Sequence, residues 1–256
     1  MLKPATELAV AAADVIERVR ARQPRVHCIT NAVAQNVTAN MLLAAGGVPS
    51  MSISREEIAG FVASADALLV NLGTFDAERR KATDIALDAA TEKEIPWVLD
   101  PVFIDRATPR ADYARLLLRR GASAIRLNRA EFEALAGFAA EGGALTGFAR
   151  DNRIVVGLTG QIDHVTDGSR LVTLENGHAL MRSVTAMGCA GSAFVAACLA
   201  VESDAWLATA AALLAFGIAG EMAAQNAHGP GSFAVAMVDG MHRLDREAMI
   251  AHARVV

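Results

Sequence analysis

The chain has 256 residues, a formal net charge of −4, 53% hydrophobic side chains and only 5% aromatic ones. That length can bury a substantial core, and the apolar share excludes an intrinsically disordered chain. Three cysteines exclude a disulfide scaffold, and the acidic balance argues against a dedicated nucleic-acid binder.

No repeat, charge block or Ser/Pro-rich linker divides the sequence, so 1–256 reads as one domain. Apolar spacing predicts a helix over 6–21 with Thr6 as its cap. Residues 8–13, with Lys3 upstream, have a faint signal-peptide look, but the apolar part is short and charges follow at helical spacing. A strand is expected over 25–29, a helix over 36–45 and a short strand over 49–52. Residues 67–72 are a continuous apolar run, the mark of a buried parallel strand, and a helix over 77–94 follows. Then come a strand over 96–100, a helix over 110–121, a strand over 124–127 and a short helix over 129–137. Residues 154–158 read as a strand, and 161–175 as antiparallel strands around a turn at Asp167-Gly168. Two long apolar helices, 189–201 and 205–226, precede the glycine-rich Gly229-Pro-Gly-Ser-Phe233 and a last amphipathic helix. This alternation predicts an α/β fold with a mainly parallel central sheet and helices on both faces.

The longest apolar run, 205–220, is shorter than the roughly 18–20 residues of a spanning helix, so no membrane association is expected. An odd number of cysteines points to a reducing compartment, hence a cytoplasmic protein. Cys189 and Cys198 would stand about 13 Å apart along one helix, too far to bridge. The chain has no CxxC and no HExxH, so nothing supports a structural or hydrolytic zinc site. The Ala-rich apolar excess therefore needs another explanation.

In open α/β sheets ligands bind beyond the C-terminal ends of the strands. Those ends release Thr30, Asn31, Gln35, Asn36 and Asn40; then Met51; then Asn71-Leu-Gly-Thr74; then Asp100-Pro101; then Arg126, Asn128 and Glu131; and last Leu158-Thr-Gly160. Any one of these could merely shape a turn or cap a helix. Six polar strand ends on one edge are a stronger signal. The sharpest local feature is Val184-Thr-Ala-Met-Gly-Cys-Ala-Gly-Ser-Ala193, where small residues lead into an apolar helix and leave backbone N–H groups free for an anion. There is no GxxxxGK[ST] and no GxGxxG after the first strand. Cys189 falls in the first turn, where the helix dipole favours a thiolate. Together these residues suggest phosphoryl transfer. The helix N-terminus would receive phosphate, Asp100 and Glu131 would hold Mg²⁺, and Arg126 would offset phosphate charge. His27, His178 and His228 are expected to be satisfied structural histidines.

Ten segments resemble hydroxyethylthiazole kinases, thiamin-salvage enzymes with a ribokinase-like three-layer architecture, and they occur in that family's order. They are Val26-His-Cys-Ile-Thr-Asn31, Asn36-Val-Thr-Ala-Asn40, Gly46-Gly-Val-Pro-Ser-Met51, Asn71-Leu-Gly-Thr74, Asp100-Pro-Val102, Arg126-Leu-Asn-Arg-Ala-Glu131, Leu158-Thr-Gly160, Asn176-Gly-His178, the 184–189 stretch and Gly229-Pro-Gly-Ser-Phe233. The resemblance implies phosphorylation of 4-methyl-5-(2-hydroxyethyl)thiazole by ATP with Mg²⁺. It also implies a homotrimer with active sites at subunit interfaces. Met51 and the backbone at Ala186 would contact the thiazole alcohol. Arg126, Thr159 and Gly188 would contact ATP, while Asp100 and Glu131 would serve the metal. Cys189 stands where ribokinase-like relatives usually carry an aspartate base, and is expected to assist deprotonation while the anion site does most of the catalysis.

Departures from the family pattern are Phe103-Ile-Asp-Arg106 where small residues usually follow Asp-Pro-Val, Leu127 for Gly, Gln161 for Glu, and Ala186-Met187 for a Gly-containing pair. An ATP-dependent dehydratase or another small-alcohol kinase of the same superfamily is the alternative reading, against which the pattern over 27–40 weighs. A non-catalytic ligand sensor is disfavoured by the intact Asp100, Glu131 and Arg126.

Overall fold

In the computed structural model, which describes residues 4–256, eight strands form one sheet. Lys3, part of the faint leader-like pattern, lies outside the described residues. The strands are β1 (Arg25–Ile29), β2 (Val48–Ser50), β3 (Ala67–Asn71), β4 (Trp97–Asp100), β5 (Ala124–Asn128), β6 (Val155–Thr159), β7 (Asp163–Thr166) and β8 (Leu171–Leu174). Their order is β2-β1-β3-β4-β5-β6-β7-β8, parallel as far as β6, with β7 and β8 added as an antiparallel hairpin.

The helices are α1 (Pro4–Arg22), α2 (Gln35–Ala45), α3 (Ile58–Ala63), α4 (Ala77–Glu92), α5 (Thr108–Leu118), α6 (Arg129–Ala136), α7 (Ala144–Asn152), α8 (Met187–Leu199), α9 (Ala205–Ala224), α10 (Pro230–Arg243) and α11 (Arg246–His252). They cover both faces of the sheet. Alternate residues of each central strand serve opposite layers, as the period of two requires. Val26 and Cys28, Ala67 and Leu69, Val98 and Ala124 face a core built with α1, α2, α8, α9, α10 and α11. Ile29, Leu68 and Val70, Trp97 and Leu99, Ile125 and Leu127 face the other, built with α3, α4, α5, α6 and α7. The expected three-layer arrangement is present.

The differences from the sequence reading have local causes. α1 is already helical at Pro4, the first described residue, so Thr6 lies inside the helix and does not cap it. α5 likewise starts two residues before the expected Arg110, with Pro109 in its first turn. α3, α7 and α11 have six, nine and seven residues, too short for apolar periodicity to declare them. α9 extends past the apolar run through Glu221 to 20 residues and so reaches spanning length. Yet 78% of its apolar window is buried inside the protein, as in a core helix.

α8 and α9 are especially rich in alanine, with 13 in their 33 residues, and glycines of α9 and α10 pack close to neighbouring backbone. A Cβ at Gly217 would stand 2.7 Å from the Asn176 carbonyl oxygen, and one at Gly240 2.9 Å from that of Ala219. Helices pack here at distances that larger side chains would forbid.

Candidate functional site

The strand order reverses between β1 and β3, since β2 lies on the outer side of β1. At such a switch point the loops leaving two neighbouring strands diverge and open a crevice. Asn31 just beyond β1, Asn71 at the end of β3 and Asp100 at the end of β4 meet there, with Asn71 and Asp100 in register. All three are buried. The Asn71 amide donates to Asp100 Oδ2 at 2.6 Å, and the Asn31 amide donates to Asn71 Oδ1 at 3.1 Å and to Cys189 Sγ at 3.4 Å.

The neighbouring part of the edge is cationic. Arg126 leaves β5 half-buried, and its Nε has no hydrogen-bond partner. Its guanidinium lies so close over Gly188 that a Cβ there would come within 2.5 Å of a terminal nitrogen. Gly188 is in the first turn of α8, and among the described residues no side chain caps that helix. The result is a half-buried guanidinium with an unpartnered Nε beside uncapped backbone N–H groups, an arrangement suited to phosphate. Thr159 ends β6 beside Asn128, with its hydroxyl 3.4 Å from the Leu127 carbonyl oxygen.

Glu131 has two structural duties besides any role with a ligand. It forms a reciprocal capping box with Asn128, taking that residue's backbone N–H at 2.9 Å, and its other oxygen takes the Phe103 N–H at 3.0 Å. Asp163 on β7 was not singled out in the sequence. Burial raises its pKa to about 6, against the Gly160 N–H it accepts and the charge of Arg126.

Burial is also the main reason that the Asp100 pKa stands near 6. The Arg126 charge pulls it down, while Glu131 pushes it up. The Cys189 thiol is raised to about 11, first by burial and next by the Asp100 charge, against donation from Asn31 and Asn71 and the charge of Arg126. Desolvation and the neighbouring Asp100 charge thus act against the thiolate that a first-turn position favours. The other cysteines, Cys28 and Cys198, are buried, and all three are free.

Met51 lies on the far side of β1, half-buried against the core that includes α2 and α8. Its neighbours are held by His27. Ser50 Oγ lies 2.8 Å from Nδ1, and Nε2 lies 3.0 Å from the Ser52 carbonyl oxygen, which can only accept. Nε2 therefore carries the hydrogen, and Ser50 donates to Nδ1. The ring also stacks on Phe61 with centroids 5.6 Å apart. His178 caps a short turn through Nδ1 and stacks on Phe233, a structural role, whereas His228 is exposed. Ala186, immediately before α8, has φ +67, the left-handed region.

The family model described as "Hydroxyethylthiazole kinase family" matches residues 16–247. The chain belongs to that family. This kinase is 43% identical over 247 residues to the probable hydroxyethylthiazole kinase of Agrobacterium fabrum, covering 96% of this chain and 95% of that one. The solved hydroxyethylthiazole kinase protein of Pyrococcus horikoshii superposes with a TM-score of 0.91 at 37% identity, over 96% and 98% of the two chains. A ribokinase-like superfamily protein from Enterococcus faecalis shares the fold at 11% identity, with a TM-score of 0.69 and 89% coverage of both chains.

Two departures of the kinase from the family pattern fall on left-handed backbone. Phe103 has φ +57 and an exposed ring with the Arg106 guanidinium 5.3 Å above it; Ala186 is the other. Both occupy places where a small residue or a glycine adopts that conformation at less cost. The sequence did release Asn31 and Asn71 at strand ends, but their mutual bonding becomes visible only when β3 is set beside β1.

Proposed function

We propose that this protein transfers the γ-phosphoryl group of ATP to the hydroxyl of 4-methyl-5-(2-hydroxyethyl)thiazole. The observation that carries the reading is the half-buried Arg126 guanidinium, unpartnered at its buried Nε, against Gly188 at the uncapped start of α8. A cation so placed, near Asp100 and Asp163 but not hydrogen-bonded through Nε, is complementary to a transferring phosphate. The alcohol oxygen bonds to the γ-phosphorus as the bond to the β-phosphate oxygen breaks; ADP leaves, and the hydroxyl proton is released to solvent as the new P–O bond forms. Arg126, Thr159 and the backbone at Gly188 bind the phosphates, while Met51 and the backbone at Ala186 hold the thiazole alcohol. Cys189 sits beside the hydroxyl. Burial and the Asp100 charge raise its pKa to about 11, so the thiol stays protonated near neutral pH and assists chiefly by hydrogen-bonding and orienting the hydroxyl as its proton departs. Most of the rate enhancement comes from positioning and charge.

The donor set fits Mg²⁺. Asp100 and Glu131 supply carboxylate oxygens, and their mutual repulsion is one of the causes holding the Asp100 pKa up. Among the described residues no group of three or more His, Cys, Asp or Glu converges, which suits an ion held jointly with phosphate and water. When bound, Mg²⁺ would neutralise charge on the phosphate oxygens.

The single continuous sheet supports reading 1–256 as one functional unit, and three free thiols suit a cytoplasmic setting. Val33, Leu43, Val48 and Phe61 are exposed around the short edge strand β2, on the side that carries Met51. An apolar edge next to the acceptor residues supports a homotrimer with sites between subunits. Light scattering after gel filtration should give three times 26.8 kDa, and a fully active monomer would sink the trimer.

The deciding assay couples ADP release to NADH oxidation with the thiazole alcohol, ATP and Mg²⁺, with a hydroxymethylpyrimidine in parallel. Thiazole-dependent ADP and a phosphorylated thiazole are expected. No ADP with the thiazole would overturn the reading.

A further inference from the structure

The polar side chains at the ends of β1, β3 and β4 form a hydrogen-bond chain whose direction is fixed at every link. Asn31 Oδ1 accepts from the backbone N–H groups of Val33 at 3.2 Å and Ala34 at 3.0 Å. Its amide nitrogen therefore faces the other way, donating one hydrogen to Asn71 Oδ1 at 3.1 Å and the other to Cys189 Sγ at 3.4 Å. Asn71 Oδ1 also accepts from Gly73 N–H at 3.0 Å, which turns the Asn71 nitrogen toward Asp100 Oδ2 at 2.6 Å. Neither amide can flip without losing a backbone partner and setting like dipole ends face to face.

Sterics close the arrangement. A Cβ at Gly73 would stand 2.6 Å from Asn31 Cβ and 2.7 Å from its Nδ2, so the turn after β3 admits the Asn31 side chain only because residue 73 is glycine. Sheet formation does not demand any of this. β1 and β3 are already joined by their backbone ladder, and apolar ends would avoid desolvating two amides. The chain runs from Asp100, a carboxylate of the phosphate end, to Cys189, at the acceptor end. Its only flexible members are two short side chains, each held from both sides.

We propose that Asn31 and Asn71 are positioning residues that lock the Cys189 sulfur to the Asp100 carboxylate and so fix the distance between the acceptor and phosphate ends of the site. This rests on the kinase reading above. In-line transfer requires the attacking oxygen and the phosphorus to be held in near-contact alignment, and a misplacement of about 1 Å can cost two orders of magnitude. Asn31 acts through Cys189 and not on substrate affinity. Asn71 aligns both neighbours at once.

A double-mutant cycle tests this with wild type, Asn31→Ala, Cys189→Ala and the double variant, following kcat and both KM values. Asn31→Ala should lower kcat about tenfold while each KM stays within about twofold. In the Cys189→Ala background the same change should cost less than about twofold, because the group it positions is gone. Gly73→Ala removes no hydrogen-bonding group yet displaces the Asn31 amide, and should reproduce most of the kcat loss. If Asn31→Ala does not fold, Asn31→Asp enters the same cycle, since it keeps the oxygen that holds the turn and loses both donors. Additive losses, or a loss confined to KM, overturn the relay while leaving the kinase reading intact. A wild type that forms no ADP with the thiazole alcohol overturns the kinase reading and the relay with it.

Discussion

The two halves of the catalytic edge are held in opposite ways. On the acceptor side, around β1, β2 and β3, the polar groups of His27, Asn31 and Asn71 are engaged with one another or with backbone, and what is left unpartnered is neutral, the buried hydroxyls of Thr30 and Thr38. On the nucleotide side, around β5 and Gly188, Arg126 keeps a buried Nε without a partner, and Phe103 holds left-handed backbone. The interlocked His27 and Asn31–Asn71 bonds give a rigid surface against which a small alcohol can be oriented. An unpartnered cation stores an unmet demand for negative charge that only a ligand satisfies. Stability is thus concentrated at the acceptor side, and binding energy at the nucleotide side.

Arg126→Ala breaks that contrast most directly. Losing a preorganised cation at the transferring group should lower kcat/KM by about 10²–10³-fold. The folded protein loses no hydrogen bond through Nε, and Asp100 and Asp163, whose pKa values Arg126 lowers, can take up protons in its absence, so its melting temperature should stay level within a few degrees. Steady-state kinetics and calorimetry on one preparation check both. A large activity loss with a lower melting temperature would mean that the guanidinium is a structural pillar.

His27 supplies the converse case on the acceptor side. Burial lowers its pKa from 6.5 to about 4, against the bond to Ser52. The native ring stays neutral while the unfolded chain takes up a proton below pH 6.5. Its contribution to stability is therefore intact above pH 6.5 and lost as the pH falls toward 4, in total on the order of 3 kcal/mol. Asp100 and Asp163, both raised to about 6, act with the opposite sign, since their native forms accept protons first as the pH falls. The wild-type curve alone mixes these effects, so the difference from His27→Asn is the proper observable. Urea unfolding should show the variant less stable at pH 7.5 by about 2 kcal/mol, with the gap narrowing between pH 6.5 and 4.5. A gap independent of pH would contradict the neutral, doubly bonded ring. KM for the thiazole should also rise in the variant at pH 7.5, because Ser50 and Ser52 flank Met51.

This difference in holding also decides what the sequence discloses. Apolar runs such as Ala67–Asn71 and the polar residue that ends each strand mark the sheet and its edge, because burial on both faces and release into solvent leave a composition trace. Arg126, Asp100 and Glu131 are legible by charge at strand ends. The direction of the Asn31–Asn71–Asp100 chain is not, since it depends on β3 lying beside β1 when β2 comes between them in sequence. Nor is the thiol of Cys189: a first-turn position argues for a thiolate, and only the surrounding burial and the Asp100 charge reverse that. Asp163 was missed because a hairpin strand off the parallel sheet gave no reason to look there.

The smallest expected effect isolates strain from ligand demand. Ala186 precedes α8 at φ +67 and ψ 2, a conformation that costs an L-residue about 1–2 kcal/mol relative to glycine. Glycine loses more chain entropy on folding, roughly 0.4–1 kcal/mol, so Ala186→Gly should stabilise the protein by less than about 1 kcal/mol. For a chain of this size that is a rise in melting temperature of about 1–3 °C. Ala193→Gly, in the right-handed interior of the same helix and fully buried, has no strain to relieve and should lower it. Opposite signs for two identical replacements seven residues apart would place the strain at the mouth of the anion site and nowhere else along α8. A lower melting temperature for Ala186→Gly would mean that packing of the Ala186 methyl outweighs its backbone cost.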